Sequence, residues 1–158
     1  MAKLNGAIGV MDSGIGGLTV VKELQRILPG EDIIYFGDSA NCPYGNKTSD
    51  QIFELSCNML KFLGDNGVKC TAIACNTIST MSNRLRPCFD YRIVSIVEEA
   101  AKYVIREKLS SVGLIATEFT SSAYLPEATV NSVAIRPTEE SFSRMTYLAA
   151  SSTMLTMR

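Results

Sequence analysis

The sequence predicts an α/β fold: a parallel β-sheet with helices on both faces. Three observations predict it. Short apolar runs alternate with segments of helical periodicity over the first 120 residues. The runs are near-continuously apolar, without the in–out alternation of a half-solvated antiparallel sheet, so both their faces are expected to be covered. Polar clusters follow the runs directly, where open α/β sheets bind their ligands.

Ala7-Ile8-Gly9-Val10-Met11 is the first strand, ending at Asp12-Ser13-Gly14. From Gly17, the positions Leu18, Val21, Leu24 and Leu28 keep helical spacing until Pro29-Gly30 stops the helix. Residues 32–36 form the second strand, followed by a loop over 37–47 that holds Pro43-Tyr44-Gly45. Thr48-Ser49-Asp50-Gln51 has the capping-box pattern, and Ile52, Leu55, Met59, Phe62 and Leu63 make one apolar helical face after it. The third strand is 68–74, with Cys75-Asn76-Thr77 as its exit turn and a short helix running towards Pro87. A fourth strand (92–97), a helix (98–108) and a fifth strand (111–116) complete the pattern, with Thr117-Glu118 after the last. From Ser121 the alternation is lost and Ser, Thr and Met dominate; 121–158 reads either as a poorly ordered tail or as a marginal helix near 139–155.

Bulk properties narrow the function. The 158 residues suffice for a buried core, and 46% are hydrophobic. With 15 basic and 16 acidic residues, no charge excess points to nucleic acid or an anionic membrane. No signal peptide or membrane-length apolar stretch is recognised, so a cytoplasmic protein is expected. The five cysteines, Cys42, Cys57, Cys70, Cys75 and Cys88, contain no CxxC pair, and there is no histidine. Reduced thiols are expected rather than disulfides or a zinc cluster, and a Cys-His or Ser-His-Asp catalytic arrangement is excluded within the chain.

Cys75 is the sharpest candidate for chemistry. At a strand-to-helix turn, free backbone N–H groups and the helix dipole favour an anion, which is expected to lower the thiol's pKa. Cys57, Cys70 and Cys88 are read as small buried hydrophobes. Asp12 and Ser13 suit a substrate ammonium or a proton transfer, but equally the capping of the next helix. Gly14-Ile15-Gly16-Gly17 lacks the spacing of either nucleotide-binding glycine motif and reads as a tight turn that could offer amides to a carboxylate. Pro43-Tyr44-Gly45 is either an ordinary turn or a loop over a small ligand. Asn76 and Thr77 can bind a carboxylate through side chain or amide.

Taken in order, Ile8 to Val20 (with Asp12-Ser13-Gly14-Ile15-Gly16-Gly17), Asp32 to Asp38, Pro43-Tyr44-Gly45 and Ala74-Cys75-Asn76-Thr77 resemble the glutamate racemases of the aspartate/glutamate racemase superfamily. A fainter match runs from Gly113 to Thr120. The resemblance implies a flavodoxin-like racemase lobe and cofactor-independent, metal-free racemisation of glutamate by two cysteines on opposite faces of the substrate, with D-glutamate going to peptidoglycan. It implies that Cys75 is the catalytic thiol acting on D-glutamate. Asp12 and Ser13 would meet the ammonium. Tyr44, Gly45, Asn76 and Thr77, and more faintly Thr117 and Thr120, would hold the substrate.

By the same resemblance, 1–97 is a first lobe, 98–120 begins a second, and 121–158 is an atypical tail. The second lobe's cysteine, in a Cys-Thr-His-like motif, has no counterpart, since no cysteine follows Cys88. A truncated enzyme that inverts poorly is therefore expected. Its uncovered apolar surface would favour a homo-oligomer. Two other readings stay open: an aspartate or other amino-acid racemase, and a non-catalytic α/β domain binding a small anion. A nucleotide-binding domain is a weaker third.

Overall fold

The computed structural model describes residues 5–107, 111–115, 120 and 131–135. Four strands, β1 (Ala7–Asp12), β2 (Ile33–Gly37), β3 (Val68–Ile73) and β4 (Arg92–Ser95), form a parallel sheet in the order β2-β1-β3-β4. Asp12 lies opposite Gly37 and Met11 opposite Ile73, so the strands finish level and their exit residues share one rim. The chain leaves β1 towards β2 and leaves β3 towards β4. The switch point of the sheet therefore falls between β1 and β3, the crevice where such sheets bind ligands.

Helix α1 (Leu18–Ile27) joins β1 to β2 and buries none of its residues fully. Helix α2 (Ser49–Asp65) starts with the expected capping box: Thr48 accepts the Gln51 N–H, and the Gln51 side chain accepts the Thr48 N–H. It buries Ile52, Met59, Leu60 and Leu63 in a core shared with Met11, Ile73, Ile78, Leu85 and Ile93. Each such side chain contributes roughly 1.5–3 kcal/mol through removal from water. Helix α5 (Ile96–Arg106) is capped by Ser95, which accepts the Glu98 N–H. The Arg86 guanidinium and the Ser82 hydroxyl both bond Glu98, tying the segment before β4 to the first turn of α5.

Two differences from the sequence reading stand out. The single helix expected before Pro87 is broken into α3 (Asn76–Ser79), α4 (Ser82–Leu85) and a 3₁₀ turn at Arg86–Cys88. The Thr80 hydroxyl donates to the Thr77 carbonyl at 2.7 Å, the kind of local side-chain bond that competes with a continuous helix. Secondly, β5 (Ser111–Ile115) has a partner strand beyond residue 120. It pairs in parallel with β6 (Asn131–Ile135) in a separate two-stranded sheet. The reading of 121–158 as lacking a strand is thereby corrected. Val133-Ala134-Ile135 is too short an apolar run, in too polar a setting, for periodicity to declare it. The helix expected near 139–155 lies outside the described residues, which contain no helix long and apolar enough to cross a membrane.

Candidate active site

The rim of the main sheet brings together most of the residues singled out by sequence. Asp12 closes β1, and its carboxylate is buried. Oδ1 accepts the Ser13 N–H and Oδ2 the Gly17 N–H, both at 2.9 Å, so the carboxylate folds the glycine loop around itself at the entrance to α1. Asp12 thus holds Gly17, the N-cap residue of α1, by its backbone N–H, while α1 itself has no side-chain cap.

Gly17 is needed for close approach. A Cβ there would stand 2.9 Å from the Asp12 Cβ and 3.1 Å from Ala74. The Tyr35 hydroxyl donates to the Gly14 carbonyl at 2.8 Å. Burial, then the charges of Asp12 and Cys75, push its pKa up to about 12, so Tyr35 remains a donor and keeps the loop seated.

Cys75 follows β3 and caps α3; it is 6% exposed. Its Sγ lies 3.1 Å from Ser13 Oγ, which spans the switch point from the β1 side. The expected lowering of its pKa is not what the structure has. Burial pushes the thiol up, and the Asp12 carboxylate adds to the rise. The Ser13 hydroxyl and the amides of Ile78 and Ser13 pull down without overcoming them. A four-residue helix offers few aligned dipoles, and withdrawal from water costs a thiolate more than they return. Cys75 therefore rests as a protonated thiol.

The sign of the stability effect follows. A thiol whose folded pKa lies above its unfolded one contributes stability in full below the unfolded value, about 8.5. That contribution is lost as pH rises through the folded value. The melting temperature of the native chain is expected to fall from about pH 8.5 upward, and a Cys75→Ala variant to show a shallower fall. Thermal melts between neutral and alkaline pH check this; parallel curves for the two proteins would count against it.

Tyr44 begins a 3₁₀ turn (Tyr44–Asn46) and is 1% exposed. Its hydroxyl donates to Asp38 Oδ2 at 2.6 Å and also lies 3.6 Å from the Met59 sulfur. Burial and then the Asp38 hydrogen bond raise its pKa and keep the phenol protonated. The Tyr44 ring belongs to the core and its hydroxyl is engaged by Asp38. The backbone N–H groups of Tyr44 and Gly45 remain as anion donors, since the first N–H groups of a helical turn have no partner within it.

Asp38, which the sequence reading passed over as a site residue, organises this loop. It is buried, and it also accepts the Asn41 side-chain amide on both oxygens, at 3.0 and 2.9 Å. Its own N–H donates to the Asp12 carbonyl at 2.9 Å. The available signal was its place directly after β2, matching that of Asp12 after β1. Tyr44→Phe removes one donor from a buried carboxylate and is expected to cost about 2 kcal/mol. Urea unfolding measures it; an unchanged midpoint would show the bond contributes nothing.

Asn76 and Thr77 open α3 beside the thiol. Thr77 is buried, and its Oγ1 lies 3.4 Å from that of Thr120, which is 1% exposed. Thr120 thus reaches the rim from beyond β5. Thr117 lies outside the described residues. Asp12, Ser13, Cys75, Asn76 and Thr77 therefore flank one crevice, Tyr44 and Gly45 stand over the end of β2, and Thr120 closes against Thr77. Among the described residues no three acidic or thiol groups cluster as a metal site.

Comparison with known proteins agrees with this geometry. Residues 8–142 match the family described as Asp/Glu/Hydantoin racemase, so the match continues past Thr120, where the sequence motifs stop. A glutamate racemase from Desulforudis audaxviator is 43% identical over 125 residues, covering 78% of this chain and 45% of that protein. The structure of glutamate racemase from Francisella tularensis in complex with D-glutamate superposes with a TM-score of 0.75 at 37% identity, over 89% of this chain and 57% of that one. Glutamate racemase from Thermus thermophilus, in complex with β-chloro-D-alanine, gives 0.73 at 39% identity, over 82% of this chain and 50% of that one. The chain spans about half the length of the relatives it matches. A parallel sheet with Asp12-Ser13 and Cys75 facing each other across its switch point, and a family match over most of its length, make this chain a member of the Asp/Glu/Hydantoin racemase family.

Proposed function

We propose that this chain carries one half of a cofactor-independent glutamate racemase site, with Cys75 as the proton carrier. The observation that supports it most is the position of the Cys75 sulfur at the switch-point crevice, 3.1 Å from the Ser13 hydroxyl and within the field of Asp12. A protonated thiol there is ready to donate to an α-carbanion. To act as a base it must first lose its proton, and a bound substrate ammonium would favour the thiolate by opposing the Asp12 charge. Asp12 and Ser13 would meet that ammonium. The amides of Tyr44, Gly45, Asn76 and Thr77 would hold the carboxylates, and Thr120 would pack behind Thr77. An α-proton is a weak acid, so fixed donors around the developing charge supply most of the help.

The chemistry needs two proton carriers, of which Cys75 would be one. We read these 158 residues as carrying the first part of a cytoplasmic racemase whose substrate is glutamate and whose product serves peptidoglycan synthesis. This chain is expected to exchange the α-proton of D-glutamate with solvent without inverting the centre. Incubation with each enantiomer of glutamate and of aspartate in heavy water, followed by NMR and chiral chromatography, tests this. Exchange confined to D-glutamate supports the reading. Exchange of aspartate alone would transfer the substrate to its shorter homologue, and no exchange of any amino acid would leave a binding domain instead.

A further inference from the structure

We infer that Cys57 and Cys88 form a second thiol site, a paired dithiol that closes to an intrachain disulfide under peroxide oxidation and is separate from Cys75. The pair lies where α2 packs against α4 and the 3₁₀ turn that follows it. The two segments run in step there. The Ser49 hydroxyl bonds the Met81 sulfur at 3.7 Å. One step on, the Arg84 guanidinium lies 4.4 Å over the Phe53 ring and bonds Ser49 and Asp50. Ser49, Phe53 and Cys57 are spaced by four residues and share one stripe of α2.

The next step on the opposite side is Cys88, whose Sγ bonds the Arg84 carbonyl at 3.5 Å. Cys57 stands four residues beyond Phe53, as Cys88 stands four residues beyond Arg84. The electrostatics agree. After burial, the charge of Cys88 is the next contribution to the raised pKa of the Cys57 thiol, and Arg84 opposes it. Against the reading of both as small buried hydrophobes, Cys88 is exposed and Cys57 is half-buried.

The reaction balances with peroxide as oxidant. The Cys88 thiolate attacks one peroxide oxygen, the O–O bond breaks, and the departing hydroxide takes up the proton the thiol released, leaving water and a sulfenic acid on Cys88. The Cys57 sulfur then attacks the Cys88 sulfur, expelling hydroxide, which leaves as a second water with the Cys57 proton. Two thiols lose two electrons and peroxide gains them. The link ties α2 to the segment entering β4, and a small-molecule thiol reverses it by exchange.

The full chain, dilute and reduced, is treated with hydrogen peroxide, its remaining thiols are alkylated, and its digest is mapped by mass spectrometry. The expected result is a peptide pair joined through Cys57 and Cys88, about 2 Da lighter than the two thiol peptides, in large excess over any other pair. Cys42, also exposed, is the internal control: Cys42→Ala should leave the link intact and Cys57→Ser should remove it. Accumulation of Cys88 as sulfinic acid, its pairing with Cys42, or its appearance only in disulfides between chains would overturn the proposal. The unmodified protein gives the decisive map, so the outcome does not depend on a variant folding.

Discussion

Replacing Cys75 by serine is expected to lower deuterium exchange at the α-carbon of D-glutamate by about three orders of magnitude, the usual worth of a positioned general acid or base. The substitution keeps the side chain's shape and its place 3.1 Å from Ser13 Oγ. What changes is acidity: an alcohol holds its proton far more tightly than a thiol, and burial beside Asp12 would tighten it further. Binding should survive, because the amides of Tyr44, Gly45, Asn76 and Thr77 are untouched. The measurement is NMR exchange in heavy water alongside a ligand-induced shift in melting temperature. Exchange at the parent rate by the serine protein would remove Cys75 from the chemistry. The parent rate should itself climb with pH until the thiol is ionised, since the resting form is protonated.

The second large effect is on the scaffold. Gly37→Ala is expected to destabilise the fold by about 3 kcal/mol, a fall in melting temperature of about 9 °C for a chain of this size. A Cβ at this position would stand 2.4 Å from the Gly14 carbonyl oxygen and 2.7 Å from the Tyr35 hydroxyl. One obstacle is backbone and the other is the donor that holds that same backbone, so neither can yield without opening the loop around Asp12. Gly30→Ala is the matched control, because nothing lies within 4 Å of a Cβ there. Equal melting temperatures for the two variants would show that the rim is looser than its contacts imply.

Much of this was legible in the sequence because it rests on local rules. The Thr48–Gln51 capping box is two side chains bonding a backbone three residues away, and it formed as the pattern required. The four parallel strands were legible because burial on both faces leaves continuous apolar runs. The order of DSGIGG, PYG and ACNT after successive strands was legible as a rim of polar groups, and the structure places all three motifs there.

Other features were not legible. The strand at Asn131–Ile135 is too brief to outweigh its polar neighbours, so the parallel pair it makes with Ser111–Ile115 could not be read in advance. The Tyr44 ring reads as a ligand contact because nothing in Pro43-Tyr44-Gly45 reveals that Asp38 waits six residues back to take its hydroxyl.

The sequence by itself determined the fold class and the family, because strand periodicity, helix caps and motif order are written in neighbouring residues. Only the tertiary structure decided the protonation of the Cys75 thiol. Its ionisation depends on how much water is excluded and on the charge standing across the crevice from another strand, 62 residues away in the contact between Ser13 and Cys75. Local position promised a stabilised anion, and burial beside Asp12 favours the neutral thiol instead.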